Sequence, residues 1–133
     1  MSKNILVVDD EPEIREVLGL ALSMEGYSVR LAPDRDLALK MYKQERPDAI
    51  LLDWSMSGLG IEEFLREVRT ENPDECIVLV TAGYRAEQKA KELGIKHYLP
   101  KPFEYVDVLS LTERCLRDGS SKKEKEDERK STR

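Results

Sequence analysis

The chain is poor in the residues that most enzymes use to activate a nucleophile. Its 133 residues include one histidine, one tryptophan and two cysteines. With His97 as the single histidine, the sequence offers no Ser-His or Cys-His arrangement for nucleophilic catalysis. Cys76 and Cys115 lack the spacing of metal ligands, so we expect them to be reduced thiols.

Long hydrophobic runs are also missing. No apolar segment approaches the length of a membrane span, and the first residues lack the basic and then apolar pattern of a signal peptide. Hydrophobic residues make up 40% and charged residues 37% of the chain, which is typical of one soluble globular domain. The net charge of −5 argues against nucleic acid as a direct partner. We therefore expect a cytoplasmic protein with no direct membrane or nucleic-acid partner.

Strand-like and helix-like segments alternate along the chain. Three of the strand-like segments are continuous runs of aliphatic residues, as in strands that are buried on both faces of a parallel sheet. The strand candidates are Ile5–Val8, Ser28–Leu31, Ala49–Leu52, Ile77–Val80 and His97–Leu99. Residues with helical apolar spacing follow each candidate strand. The pattern predicts an α/β fold, a doubly wound domain of five βα units.

The helices should end at recognisable signals. The first is expected to stop at Gly26, the second to lie between an Asp34 cap and Pro47, the third to span about 61–70, the fourth about 85–93, and the fifth to follow Phe103. The break for the fifth helix is predicted at 119–121, where Gly-Ser-Ser precedes a purely polar, mixed-charge segment. We expect a domain at 1–117 and a charged, disordered tail at 118–133, with a frayed helical extension as the alternative.

Three aspartates end buried strand-like runs. Asp9 and Asp10 end the first run, and Asp53 ends the third. If these strands are parallel neighbours, the three carboxylates meet at the carboxyl edge of the sheet, where open α/β sheets bind ligands. Like charges at about 4 Å repel by roughly 4 kcal/mol per pair at an effective dielectric near 20. The cluster must therefore take up protons or hold a cation, and carboxylate oxygens suit Mg²⁺.

Two further side chains suggest what accompanies the cation. Thr81 follows the fourth strand and offers a hydroxyl, and Lys101 follows the fifth and offers a positive charge. These are the groups that a transferring phosphoryl needs. An aspartate is ionised at neutral pH, so it can attack phosphorus directly and form an aspartyl phosphate.

Four motifs in this order carry a family resemblance. They are Asp9-Asp10-Glu11-Pro12, Leu51-Leu52-Asp53, Thr81-Ala82 and Tyr98-Leu99-Pro100-Lys101-Pro102-Phe103. With them, residues 3–117 resemble the receiver domain of a two-component response regulator, a phospho-acceptor module of bacterial signalling, of the stand-alone chemotaxis type. The resemblance implies a flavodoxin-like, five-stranded parallel sheet of order 2-1-3-4-5 with five helices. It also implies a cis Lys101–Pro102 bond.

The resemblance assigns a role to each candidate. Asp53 would accept the phosphoryl group from a histidine kinase or phosphotransfer protein, and Thr81 and Lys101 would bind its oxygens. Mg²⁺ or Mn²⁺ would be held by Asp10, Asp53 and the backbone carbonyl of Ser55, with Asp9 acting through water. The chain would be no enzyme in the ordinary sense, although it would assist its own phosphorylation and dephosphorylation.

Regulation in such a receiver implies a switch. Thr81 would move toward the phosphoryl group and Tyr98 would turn inward, which changes a face for an unidentified output partner. Two stretches depart from the family pattern, because the loop after Asp53 is one residue short and the stretch from Thr81 to Gly94 is about two residues short.

Other functions would require different residues at these positions. A haloacid-dehalogenase-type phosphatase would need a second aspartate two positions after Asp53, where Ser55 stands. A flavodoxin-type cofactor binder would need a phosphate-cradling loop after the first strand, where this chain has carboxylates. A receiver that only relays phosphate, or a receiver fragment of a longer transcriptional regulator, stays open as an alternative.

Overall fold

The computed structural model describes residues 2–56, 58–82 and 84–131, and for 119–131 it describes the backbone alone. Five strands alternate with five helices. The strands are β1 (Asn4–Val8), β2 (Ser28–Ala32), β3 (Ala49–Asp53), β4 (Ile77–Ala82) and β5 (His97–Lys101). The helices are α1 (Pro12–Met24), α2 (Arg35–Gln44), α3 (Ile61–Glu71), α4 (Ala86–Glu92) and α5 (Tyr105–Ser131).

All neighbouring strands are parallel, and their order is β2-β1-β3-β4-β5. The predicted fold class and strand order are therefore confirmed. The register aligns the ends of the strands: Val8 pairs with Leu52, Asp53 with Val80, and Ala82 with Lys101. Side chains at or just after the ends of β1, β3, β4 and β5 consequently share one edge of the sheet.

Two apolar layers hold the sheet between helices. One face of the sheet packs with Phe64, Leu65 and Val68 of α3 and with buried residues of α2 and α4. The other face packs with α1 and α5, including Leu18 and Val108. Because β1, β3 and β4 contribute to both layers, their runs of aliphatic residues need no polar alternation, as the sequence predicted.

The two cysteines differ from their prediction, because Cys76 and Cys115 are joined as a disulfide. They lie 39 residues apart in sequence, yet their Cα atoms are 5.7 Å apart. Cys76 immediately precedes β4 and Cys115 lies on α5, which packs against that part of the sheet. Sequence spacing gave no sign of this proximity, since only the packing of α5 brings the residues together.

The fifth helix also differs from its prediction. We expected it to end at 119–121, but the helical backbone continues to Ser131. Residues 122–130 are all Lys, Glu, Asp or Arg, and lysine, glutamate and arginine are good helix formers, which outweighs the cost of one glycine. The division into a domain at 1–117 and a tail at 118–133 stays a prediction. Within the described residues, no helix is long and apolar enough to cross a membrane.

Candidate functional site

Asp9, Asp10 and Asp53 meet at the carboxyl edge of the sheet. One carboxylate oxygen from each lies within 4.8 Å of the other two. The register explains the cluster, because Val8 pairs with Leu52 and each is followed directly by an aspartate. Asp9 and Asp53 are buried, whereas Asp10 is exposed. The structure thus brings together the three acids that the sequence singled out.

Lys101 reaches into the same cluster from the end of β5. Its Nζ lies 3.2 Å from Oδ2 of Asp9, 3.4 Å from Oδ1 of Asp53 and 3.5 Å from Oε1 of Glu11. The peptide that follows it, Lys101–Pro102, is cis, as the resemblance implied. One ammonium is therefore shared among three carboxylates, and it neutralises only part of their charge.

Burial and a neighbouring acid change the protonation of Asp53. Burial raises the pKa of Asp53 from 3.8 to about 6, and the charge of Asp9 adds to the rise, while Lys101 opposes it. For Lys101 itself, burial lowers the pKa, but the charges of Asp53 and Asp9 outweigh burial and leave the pKa above its ordinary value. Without a cation, Asp53 therefore carries an unfavourable charge near neutral pH.

The raised pKa predicts that Asp53 destabilises the metal-free fold at neutral pH. Its folded pKa exceeds its ordinary value, so the native state binds the proton more tightly, and the stability that this proton provides is lost as the pH rises through about 6. We expect Asp53→Asn to raise the free energy of unfolding by about 3 kcal/mol at pH 7.5 and by only about 0.5 kcal/mol at pH 4. Urea unfolding in EDTA at both values measures this, and a pH-independent difference would contradict it.

The donor set of the cluster fits a divalent cation. Oδ1 of Asp9 accepts a hydrogen bond from the backbone N–H of Glu11 at 2.9 Å. Its buried Oδ2 faces Lys101 as an ion pair, but accepts no well-directed hydrogen bond from the described residues. A buried carboxylate oxygen with spare acceptor capacity beside two further aspartates matches the oxygen ligands that Mg²⁺ prefers. Ser55, whose carbonyl the resemblance adds to the set, is an exposed residue two positions after Asp53.

Thr81 and Tyr98 lie on the neighbouring strands. Thr81 is buried near the end of β4 and pairs with Pro100, and its hydroxyl accepts a hydrogen bond from Nζ of Lys89 at 3.3 Å. Tyr98 lies on β5, pairs with Leu79 and packs partly buried beside the apolar layer that includes α3. All the residues predicted for phosphoryl binding and switching therefore lie on the strands that border the aspartate cluster.

The sequence analysis did not identify Arg35, which supports the backbone of the site. This arginine begins α2 and is 3% exposed. Its Nη2 donates to the carbonyls of Asp53 at 3.2 Å and Trp54 at 2.7 Å, and its Nη1 donates to the carbonyl of Leu59 at 2.9 Å. Burial lowers its pKa, while the charges of Asp53 and Asp10 oppose that change. Arg35 thus ties the loop after β3 to α2.

The adjacent Asp36 holds the same loop by accepting a hydrogen bond from the backbone N–H of Leu59 at 3.3 Å. This loop is the stretch after Asp53 that we interpreted, from the sequence, as one residue shorter than the family pattern. No motif could have identified its support, because Asp34, Arg35 and Asp36 together look like the charged first turn of an exposed helix. The only sequence-level sign was the correctly predicted cap, in which Asp34 accepts from the N–H of Leu37 at 2.7 Å.

Comparisons with known proteins agree with this geometry. The family description "Response regulator receiver domain" matches residues 5–113. The response regulator MprA of Mycobacterium bovis is 41% identical over 119 residues, which are 88% of this chain and 52% of that protein. The chain therefore spans about half the length of the MprA relatives that it matches.

Solved structures give the same result. NtrX from Brucella abortus superposes with a TM-score of 0.90 at 32% identity, over 99% of this chain and 30% of NtrX. The chemotaxis protein CheY4 of Vibrio cholerae superposes with a TM-score of 0.79 at 29% identity, over 86% of this chain and 99% of CheY4. The similarity thus extends both to receivers within longer chains and to a protein about as long as this one.

Proposed function

The chain belongs to the response regulator receiver domain family, and on this basis we propose that Asp53 is its phospho-acceptor. The observation that carries this proposal is the contact of Lys101 with both Asp53 and Asp9 at the edge where the three aspartates converge. An ionised carboxylate with an adjacent cation can attack a phosphoryl group without a general base.

The proposed step is a transfer from a phosphohistidine of a partner kinase or phosphotransfer protein. A carboxylate oxygen of Asp53 attacks phosphorus, the new P–O bond forms while the P–N bond breaks, and the imidazole leaves. Lys101 and the Thr81 hydroxyl bind the phosphoryl oxygens as their charge develops. Hydrolysis of the acyl phosphate at the same site would return Asp53 to its carboxylate. The domain would thus assist both its own phosphorylation and its own dephosphorylation.

Mg²⁺ or Mn²⁺ would be held by Asp10, Asp53 and the Ser55 carbonyl, with Asp9 acting through water, and would supply charge neutralisation between these acids and the phosphoryl oxygens. Arg35 fixes the backbone from Asp53 to Trp54, so it also positions the loop that contains the Ser55 carbonyl. A cytoplasmic location stays a prediction of the sequence alone.

The output of the domain is proposed to be a change in the face formed by α4, β5 and α5. Thr81 would be drawn toward the phosphoryl group and Tyr98 would turn inward, which biases an existing two-state equilibrium. The relay of phosphate to another protein is the alternative. MprA and NtrX contain long segments outside the matched region, and so a role as the receiver part of a longer regulator is also compatible with these relatives.

Incubation with acetyl phosphate tests the acceptor directly. We expect the wild-type protein to gain one phosphoryl group, read by intact mass, in the presence of Mg²⁺ and to gain none in EDTA. Asp53→Asn should gain none under either condition, because it lacks the attacking carboxylate. As a matched control, Asp48→Asn, an exposed aspartate just before β3, should behave as the wild type. Phosphorylated Asp53→Asn would refute the assignment.

A further inference from the structure

A second lysine is held beside the acceptor by α4. Nζ of Lys89 donates to the hydroxyl of Thr81 at 3.3 Å and lies 4.2 Å from the centre of the Trp54 ring. Trp54 directly follows Asp53, and Thr81 directly follows Val80, the residue that pairs with Asp53 across the sheet. One contact of this ammonium is therefore with the residue after the acceptor, and the other is with the residue after the acceptor's pairing partner.

We propose that Lys89 is a phosphoryl-binding residue of this receiver. When Asp53 carries a phosphoryl group, the ammonium of Lys89 leaves the face of the Trp54 ring and binds a phosphoryl oxygen beside Thr81. This inference deepens the proposed function and rests on it, since it requires that Asp53 is the phospho-acceptor.

The competing interactions of the ammonium favour this movement. In the unphosphorylated site it contacts an aromatic ring and a neutral hydroxyl, both modest partners for a cation. A phosphoryl group adds strong acceptor oxygens and nearly two negative charges. Hydrogen bonds between charged groups are roughly twice as strong as neutral ones. Because a lysine carries its charge on a flexible four-carbon stem, side-chain rotation can move it from ring to phosphoryl oxygen.

The charge balance of the site leaves a place for such a cation. Lys101 already contacts Asp9, Glu11 and Asp53, so its charge is shared among three carboxylates. Lys89, in contrast, has a neutral partner at Thr81. The Lys89 ammonium is thus available to pair with the negative charge that phosphorylation adds next to Thr81.

The helix that carries Lys89 is lightly anchored. Within α4, only Ala86 and Ala90 are buried, and the capping residue Arg85 adopts a left-handed conformation with φ of 64° and makes no side-chain cap. Small side chains bury little apolar surface, so displacing α4 costs little. A new bond from Lys89 to the phosphoryl group therefore links α4 directly to phosphorylation.

Beryllofluoride, a mimic of the phosphoryl group, provides the test at saturating Mg²⁺. Lys89→Met keeps an apolar stem over Trp54 but removes the charge. We expect calorimetry to show about ten-fold weaker beryllofluoride binding, the loss of one charge-assisted hydrogen bond at a half-exposed site. Lys91→Met is the matched control on the same helix, since Lys91 is 77% exposed and pairs with Glu87, and it should stay within about two-fold of wild type. Lys89→Arg should restore most of the affinity.

Fluorescence of Trp54, the single tryptophan, gives a second readout that a merely structural role would not move. Beryllofluoride should change its emission in the wild type, because the ammonium leaves the ring, and this change should be largely lost in Lys89→Met at equal saturation. Wild-type affinity in Lys89→Met, with an unchanged melting temperature, would overturn the role of Lys89 alone. A wild-type protein that binds no beryllofluoride and takes no phosphate from acetyl phosphate would overturn the proposed function as well.

Discussion

Lys101→Met is expected to slow the phosphorylation of Asp53 by acetyl phosphate by about 100- to 1000-fold. That is the range for removing one preorganised donor from a site that stabilises a developing anion. The ammonium lies 3.4 Å from Oδ1 of Asp53 and 3.2 Å from Oδ2 of Asp9, and its side chain is 16% exposed, so water replaces it poorly. Without it, the repulsion between the two buried carboxylates should also raise the pKa of Asp53 further.

The rate can be followed by intact mass over time at saturating Mg²⁺. Lys96→Met is a suitable control, because Lys96 is exposed and immediately precedes β5, at the end remote from the aspartates. It should match the wild type within about two-fold. If Lys101→Met accepted phosphate at the wild-type rate, the ammonium would be structural and the proposed phosphoryl contact would be wrong.

Arg35→Met should lower the free energy of unfolding by about 3 kcal/mol, as expected for the loss of a buried, charged hydrogen-bond donor. Methionine fills much of the same space, but it leaves the carbonyls of Asp53, Trp54 and Leu59 without the partner that they have in the structure. The loop after β3 should therefore loosen. Mg²⁺ binding should weaken with it, because the Ser55 carbonyl lies in this loop.

Urea unfolding and Mg²⁺ titration measure the two effects. Arg66→Met provides the control, since Arg66 is an exposed arginine of α3, and its unfolding free energy should change by less than about 0.5 kcal/mol. An Arg35→Met protein with unchanged Mg²⁺ affinity but lower stability would restrict Arg35 to a role in folding. An unchanged free energy of unfolding would contradict the prediction that the three hydrogen bonds of Arg35 stabilise the fold.

Much of the fold could be predicted because the local signals were strong and agreed with one another. The aliphatic runs that became β1, β3 and β4 had the pattern of doubly buried strands, and signals such as Asp34 and Gly26 bounded the helices between them. The strand order came from family resemblance rather than from periodicity. The helix end expected at 119–121 was wrong and the backbone follows the alternative of a helical extension, because polarity alone does not separate a disordered segment from a polar helix.

The candidate site was predictable only where its residues follow strands. Asp9, Asp53 and Lys101 could be found because the carboxyl ends of parallel strands share one edge. Arg35 and Lys89 could not, since each lies on a helix and reaches the site through a long side chain. In the sequence, both look like ordinary solvent-exposed charges.

Hydrophobic periodicity along the chain was therefore enough to predict the α/β class, the doubly buried strands and the acids at their ends. Contacts between distant residues came from tertiary packing. This packing pairs Cys76 with Cys115 across 39 residues of sequence. It also brings the Arg35 guanidinium to the loop after β3, and it holds the Lys89 ammonium in contact with both Thr81 and Trp54. Such contacts depend on how whole helices pack on the sheet and on where long side chains reach, and no local pattern encodes either.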